Sequence, residues 1–146
     1  MRFFFVEPEV PGACDDGTVR EDGVDPDTGS PRVQAPHLHF EFEGWLGDEL
    51  VTSHPVFAVT RTLADRFTAA GLNGFALRPL TTSRSEQFVM FHPDRKLPEF
   101  VELFVTGTAR VDDFGIEGSG DLIMSEPAVA VLRTTEPLDT DITPLS

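Results

Sequence analysis

PVFAVTRTLADRFTAAGLNGFAL, residues 55–77, carries a complete strand–helix–strand unit, and its reading decides the fold class. Pro55-Val56-Phe57-Ala58-Val59 is a short apolar, β-prone run of the kind a buried strand requires. Thr60 then offers a hydroxyl at an N-cap position, and Leu63, Phe67 and Ala70 recur at the spacing of one helix face. Gly71 with Leu72 fits a left-handed C-cap and its hydrophobic contact, because glycine takes positive φ without a Cβ clash. Asn73-Gly74 turns the chain into Phe75-Ala76-Leu77, and Pro79, which has no N–H to give a sheet, confines that strand to an edge or an end.

Outward from this unit the chain repeats itself. Leu122-Ile123-Met124 leads into Ser125, a second cap, with Pro127 tolerated in the first turn and Val129 and Leu132 at helical spacing. Phe67 and Leu132 each follow their cap by the same interval, as do Pro79-Leu80 and Pro144-Leu145, which fits either two related strand–helix–strand units with one insertion in between or a coincidence among common residues. Further strands are expected at Phe3–Val6, His37–Glu43, Phe88–Phe91 and Phe100–Thr106. Asp112–Gly115 and Gly118–Gly120 bracket a turn region. Strands outnumber helices, so the expected class is α+β, a mainly antiparallel sheet with two short helices packed on one side. Residues 1–146 are expected to form a single domain, with an acidic loop rich in Gly, Pro and Asp at about 10–36.

The charge is one-sided: 25 Asp and Glu against 11 Lys and Arg give a net charge of −14. A polyanionic partner needs clustered Lys and Arg to displace its counterions, so DNA, RNA and anionic membranes are not expected partners. The first 50 residues hold 12 acids and 3 bases, which concentrates the negative charge in the N-terminal third. With 13 Phe and 40% hydrophobic residues the chain is too apolar for an acidic disordered tail. Cys14 is the one cysteine, so no disulfide forms within the chain. The apolar start ends at Glu7-Pro8-Glu9, too soon for a signal segment, and no run approaches a membrane span; a cytoplasmic location is expected.

The sharpest polar constellation is His37-x-His39-x-Glu41-x-Glu43, in strict alternation with Leu38, Phe40 and Phe42. Period two puts the imidazoles and carboxylates on one face of a strand and the apolar side chains on the other. His and Glu are metal ligands, and His37, His39 and Glu41 are therefore the candidates for a metal site, partly like the His-x-His of cupins. The other reading of that row is a solvated face of mutually paired side chains. Asp25-Pro26-Asp27-Thr28-Gly29 lacks the ligand series of a calcium loop. Cys14 is followed by aspartates that oppose a thiolate. No phosphate-binding glycine loop, nucleophile elbow or paired-cysteine motif occurs, and Asp112-Asp113 reads as turn chemistry.

Val59-Thr60-x2-Leu63-x3-Phe67-x3-Gly71-Leu72-x-Gly74-Phe75, followed by Leu97-Pro98-x-Phe100, Asp112-Asp113-Phe114-Gly115 and Leu122-Ile123-Met124-Ser125-Glu126-x5-Leu132, resembles the small immunity proteins of bacterial polymorphic toxin systems. The resemblance spans roughly residues 45–145. It implies a non-catalytic protein with no cofactor that neutralises a cognate toxin by binding it. A basic toxin would be steered onto an acidic inhibitor by long-range attraction. The partner face is then expected at His37, His39, Glu41 and Glu43, with Asp22, Asp25 and Asp27 of the acidic loop and Trp45 as an aromatic anchor. The alternative is a metal-binding protein or enzyme built on the His-x-His-x-Glu strand. Short Phe-rich strands with open edges also invite pairing into a homodimer.

Overall fold

Four sheets and three helices make up the described part of the chain. The computed structural model describes residues 1–15, 20–24, 31–33 and 38–145, with residues 15, 20–24 and 31–33 as backbone only. In order the elements are β1 (Phe3–Glu7), β2 (Gly12–Asp15), β3 (Arg20–Val24), β4 (Pro31–Val33), β5 (His39–Phe42), β6 (Leu50–Ser53), β7 (Val56–Thr60), α1 (Arg61–Ala69), β8 (Phe75–Arg78), β9 (Thr81–Arg84), α2 (Glu86–Phe91), β10 (Phe100–Val105), β11 (Phe114–Glu117), β12 (Asp121–Ser125), α3 (Glu126–Leu132) and β13 (Asp141–Pro144). Two four-stranded sheets, β11-β12-β1-β13 and β6-β7-β10-β8, are antiparallel throughout. A third sheet, β2-β5-β9, contains the parallel pair β5–β9, and β3 pairs with β4. The molecule is thus a mixed α and β protein dominated by mostly antiparallel strands. Among the described residues no helix is long and apolar enough to cross a membrane.

The two capped helices occupy matching places in the two large sheets. Thr60 Oγ1 accepts from Leu63 N at 3.1 Å and donates to Glu49 Oε1 at 2.7 Å. Ser125 Oγ accepts from Ala128 N at 3.3 Å and donates to Asp113 Oδ1 at 2.6 Å. The backbone follows suit: Thr60 N donates to Glu49 O and Ser125 N to Asp113 O, while Arg61 N and Glu126 N donate to Glu99 O and Arg2 O. In register, Thr60 faces Phe100 and Arg78 faces Glu102, while Ser125 faces Phe3 and Thr143 faces Phe5. Counterparts are 65 residues apart at both places (125 − 60 and 143 − 78), so from cap to final strand the two units match residue for residue. In each, the strand after the helix pairs with a third strand, β10 or β1, rather than with the strand before it.

Helix α1 ends as Gly71 and Leu72 predict. Gly71, at φ 72°, donates to Thr68 O, and Leu72 N reaches back to Phe67 O at 3.3 Å. That is the double bond of a Schellman cap, and Leu72 packs on the same apolar cluster as Phe67. Phe67, Phe75 and Phe114 meet edge to face within that cluster, with centroids 5.0–6.2 Å apart. Each such pair adds about 0.5–1.5 kcal/mol to the burial of its rings.

The sheet β6-β7-β10-β8 is buried on both faces, which is why Val59 and Ala58, or Val101 and Phe100, are both hidden although they point opposite ways. One face joins α1, α3 and the sheet containing β1 and β12 in the larger core. The other meets Phe40 and Phe42 of β5 and Phe88 of α2 in a second core. The described residues thus hold three helices where two were expected, α1 and α3 in the larger core and α2 in the second. The α2 segment was expected to be a strand. Ser85 overrides the apolar run 88–91 by capping it, its Oγ accepting from Phe88 N at 3.1 Å, and of that run Phe88 is buried while Val89, Met90 and Phe91 stay exposed.

The expected loop at 10–36 also needs correction where it is described, because it contributes β2, β3 and β4. Strand β2 lies antiparallel to β5, with Cys14 opposite Phe40. Gly12 permits that approach, since a Cβ there would collide with the carbonyl of Glu41. Strands β6, β9 and β11 fall where no strand was expected.

Candidate partner-binding face

Strand β5 delivers the alternation read from the sequence. Phe40 and Phe42 are fully buried, whereas Glu41 and Glu43 are exposed. Parallel pairing sets His39 opposite Thr81 and Glu41 opposite Ser83. The half-buried His39 ring uses that register: Nδ1 lies 2.7 Å from Thr81 Oγ1 and Nε2 lies 2.7 Å from Ser83 Oγ. Both nitrogens are engaged by hydroxyls of β9, so His39 fastens two strands. His37 lies outside the described residues, as do Asp25 and Asp27; Asp22 falls in β3, where only the backbone is described. Among the described residues no three His, Cys, Asp or Glu side chains are grouped to hold a metal ion.

Trp45 is half-buried and fixed from several directions. Its indole N–H donates to Asp48 O at 2.9 Å, and its ring meets the edges of Phe42 and Phe100 at 6.2 and 5.9 Å. The Arg95 guanidinium lies 4.7 Å from the ring centroid and donates to Trp45 O at 2.7 Å. Such a cation over a desolvated indole is worth roughly 1–2 kcal/mol. Trp45 is therefore part of the second core on one side and surface on the other.

Its outer side opens onto a cleft of about 690 Å³, between the chain that follows β1 and the loop that follows β5. Glu9, Glu43 and Asp139 line the cleft with Trp45, and Val10 and Leu46, which are 67% and 62% exposed, supply apolar surface. Glu9 accepts from Leu46 N at 2.7 Å and Asp48 N at 3.4 Å, and the fully buried Asp48 accepts from Asp139 N and, at 2.7 Å, from the Thr140 hydroxyl. These bonds hold the loop 44–48 between the two ends of the chain. Burial pushes the Glu9 carboxyl above the ordinary carboxylate range; the two backbone N–H groups pull it down, and the charges of Asp48 and Asp139 push it further up.

No family model, curated protein or solved structure matches this chain.

Of the residues predicted for the face, Glu43 and Trp45 come together at the cleft, Glu41 stands exposed on the neighbouring strand, and His39 is turned to structural use. Glu9, Asp48 and Asp139 were missed. The bonds joining them span 37 to 92 residues of sequence, so no local pattern could disclose them. The arrangement offers carboxylates beside an aromatic wall, open to a large partner.

Proposed function

We propose that this chain is a non-catalytic binding protein of the immunity type, which neutralises a basic bacterial toxin in the cytoplasm by forming a stoichiometric complex with it. The observation that carries the reading is the open acidic cleft at Trp45, where Glu9, Glu43 and Asp139 stand beside exposed Val10 and Leu46. An aromatic anchor with an acidic rim fits the usual division of labour at interfaces, in which a few desolvated anchors give affinity and rim charges give on-rate. The net charge of −14 acts in the same direction. The resemblance of its sequence motifs to those of immunity proteins suggests the biological frame of this proposal. The binding reading is preferred to the metal-site alternative because both His39 nitrogens already have hydroxyl partners, Thr81 and Ser83.

The test is co-expression with the toxin encoded by the neighbouring reading frame. Cells are expected to survive when the chain is present, and the two proteins to co-purify in equal amounts. A metabolic operon in place of a toxin gene, or a toxin that kills regardless of the chain, sinks the reading.

A further inference from the structure

The matching of the two sheets extends to two surface grooves. One is lined by Arg61, Pro79, Glu99 and Val101, and the other by Glu126, Pro144, Arg2 and Phe4, which are their counterparts in the registers given above. In the first groove the charges close on each other, Arg61 Nε standing 3.0 Å from Glu99 Oε2. In the second the signs are exchanged and the pair is not made: neither Arg2 nor Arg133, which also lines this groove, has a described carboxylate within 4.0 Å. Both guanidinium carbons instead lie over the buried Phe4 ring, 5.5 and 5.6 Å from its centroid, and are therefore at most 11.1 Å apart.

This is unusual within this chain. Six of the eight arginines with described side chains give an N–H or an ion pair to a protein acceptor, as Arg66 does to Thr134 and Arg110 to Glu117. The remaining two are Arg2 and Arg133, and they share one groove. In a protein with more than two acids for every base, two guanidinium groups on one ring without a described carboxylate leave strong donors free for an anion. The groove, about 330 Å³ with Val129, Ala130 and Pro144 as apolar wall, has room for a small anionic group.

We propose that the groove between β1 and α3 binds an oxyanion, a carboxylate or phosphate group, held by the guanidinium groups of Arg2 and Arg133 beside Phe4. Planar guanidinium forks match the oxygens of either group, and the Phe4 ring holds the two arginines by cation–π contact, with no counter-anion needed. Glu126 lies on the rim and opposes the anion, which limits affinity and gives the test an internal check.

The full chain, labelled for NMR of its arginine Nε–H groups, is titrated separately with inorganic phosphate and with acetate at constant ionic strength. At least one anion is expected to move the Arg2 and Arg133 signals saturably. Saturation by phosphate alone identifies a phosphoryl ligand, and by acetate alone a carboxylate. The midpoint is expected to rise about tenfold in Arg133→Gln and in Arg2→Gln, the effect of losing one charge-assisted bond. Arg133→Lys restores part of it, Glu126→Gln lowers the midpoint, and Arg61→Gln in the counterpart groove changes nothing. Linear shifts with both anions, or midpoints that the Arg2 and Arg133 variants leave unmoved, overturn the assignment.

Discussion

Replacing Ser125 by Ala tests the cap on which the second unit is built. Its hydroxyl is fully buried, accepts from Ala128 N at 3.3 Å and donates to Asp113 Oδ1 at 2.6 Å. Loss of an N-cap costs about 0.5–2 kcal/mol. Loss of a hydrogen bond to a charged group costs about 1.5–3 kcal/mol, reduced here because Asp113 is only half-buried and also accepts from Asn73 N. The two losses share one hydroxyl, so the expected total is about 2–3 kcal/mol. For a chain of this length that lowers Tm by about 5–10 °C. Urea denaturation followed through Trp45, the one tryptophan, gives the number directly. Thr60→Ala breaks the matching bonds to Glu49 and Leu63 and is expected to cost a similar amount. A loss below about 0.5 kcal/mol for Ser125→Ala, the scale of an ordinary surface change, would refute the reasoning.

Two further outcomes concern the core and a buried acid. Phe67→Ala removes a fully buried ring from the contacts with Phe75 and Phe114 and is expected to cost about 3–5 kcal/mol in the same assay, whereas a loss under about 1 kcal/mol contradicts its place in the core. Glu102, on β10, lies 3.0 Å from Arg78 Nε but off the line a hydrogen bond needs, and burial pushes its carboxyl up more than Arg78 pulls it down. A carboxyl raised on folding gives stability that is present below the unfolded value of about 4.5 and lost as pH rises through the folded value. Wild type is therefore expected to lose stability relative to Glu102→Gln as pH rises from mildly acidic toward neutral; a wild type that keeps level with the variant or gains on it over that range contradicts the sign.

What was legible in the sequence was whatever local chemistry decides. Thr60, Ser125 and the Gly71-Leu72 pair specify their helix ends through bonds within a few residues, and the 38–43 alternation specifies which face of β5 is buried. What stayed hidden depends on distant partners. Strand β9, Thr81–Arg84, has almost no apolar residue and exists because β5 lends it a parallel neighbour. Strand β2 is acidic at its end and becomes a strand through the Gly12 approach to Glu41. Phe88–Phe91 looks like a strand because it is a short β-prone apolar run, and the Ser85 hydroxyl, three residues from the amide it caps, marks the helix. At the cleft, Trp45 and Glu43 were visible as residue types. Their surroundings depend on Glu9 and Asp139, brought there by the meeting of the chain's two ends.

The most direct measurement is the affinity of the purified chain for the toxin proposed as its partner, read from Trp45 emission at low and at high salt, for wild type and for Glu43→Lys. A complex with one copy of each protein is expected, with Trp45 emission shifted on binding. Added salt should weaken it, and the charge reversal should weaken it about tenfold, mainly through a slower on-rate. A toxin that binds with no change at Trp45, no response to salt and no effect of Glu43→Lys would contradict the assignment of this face.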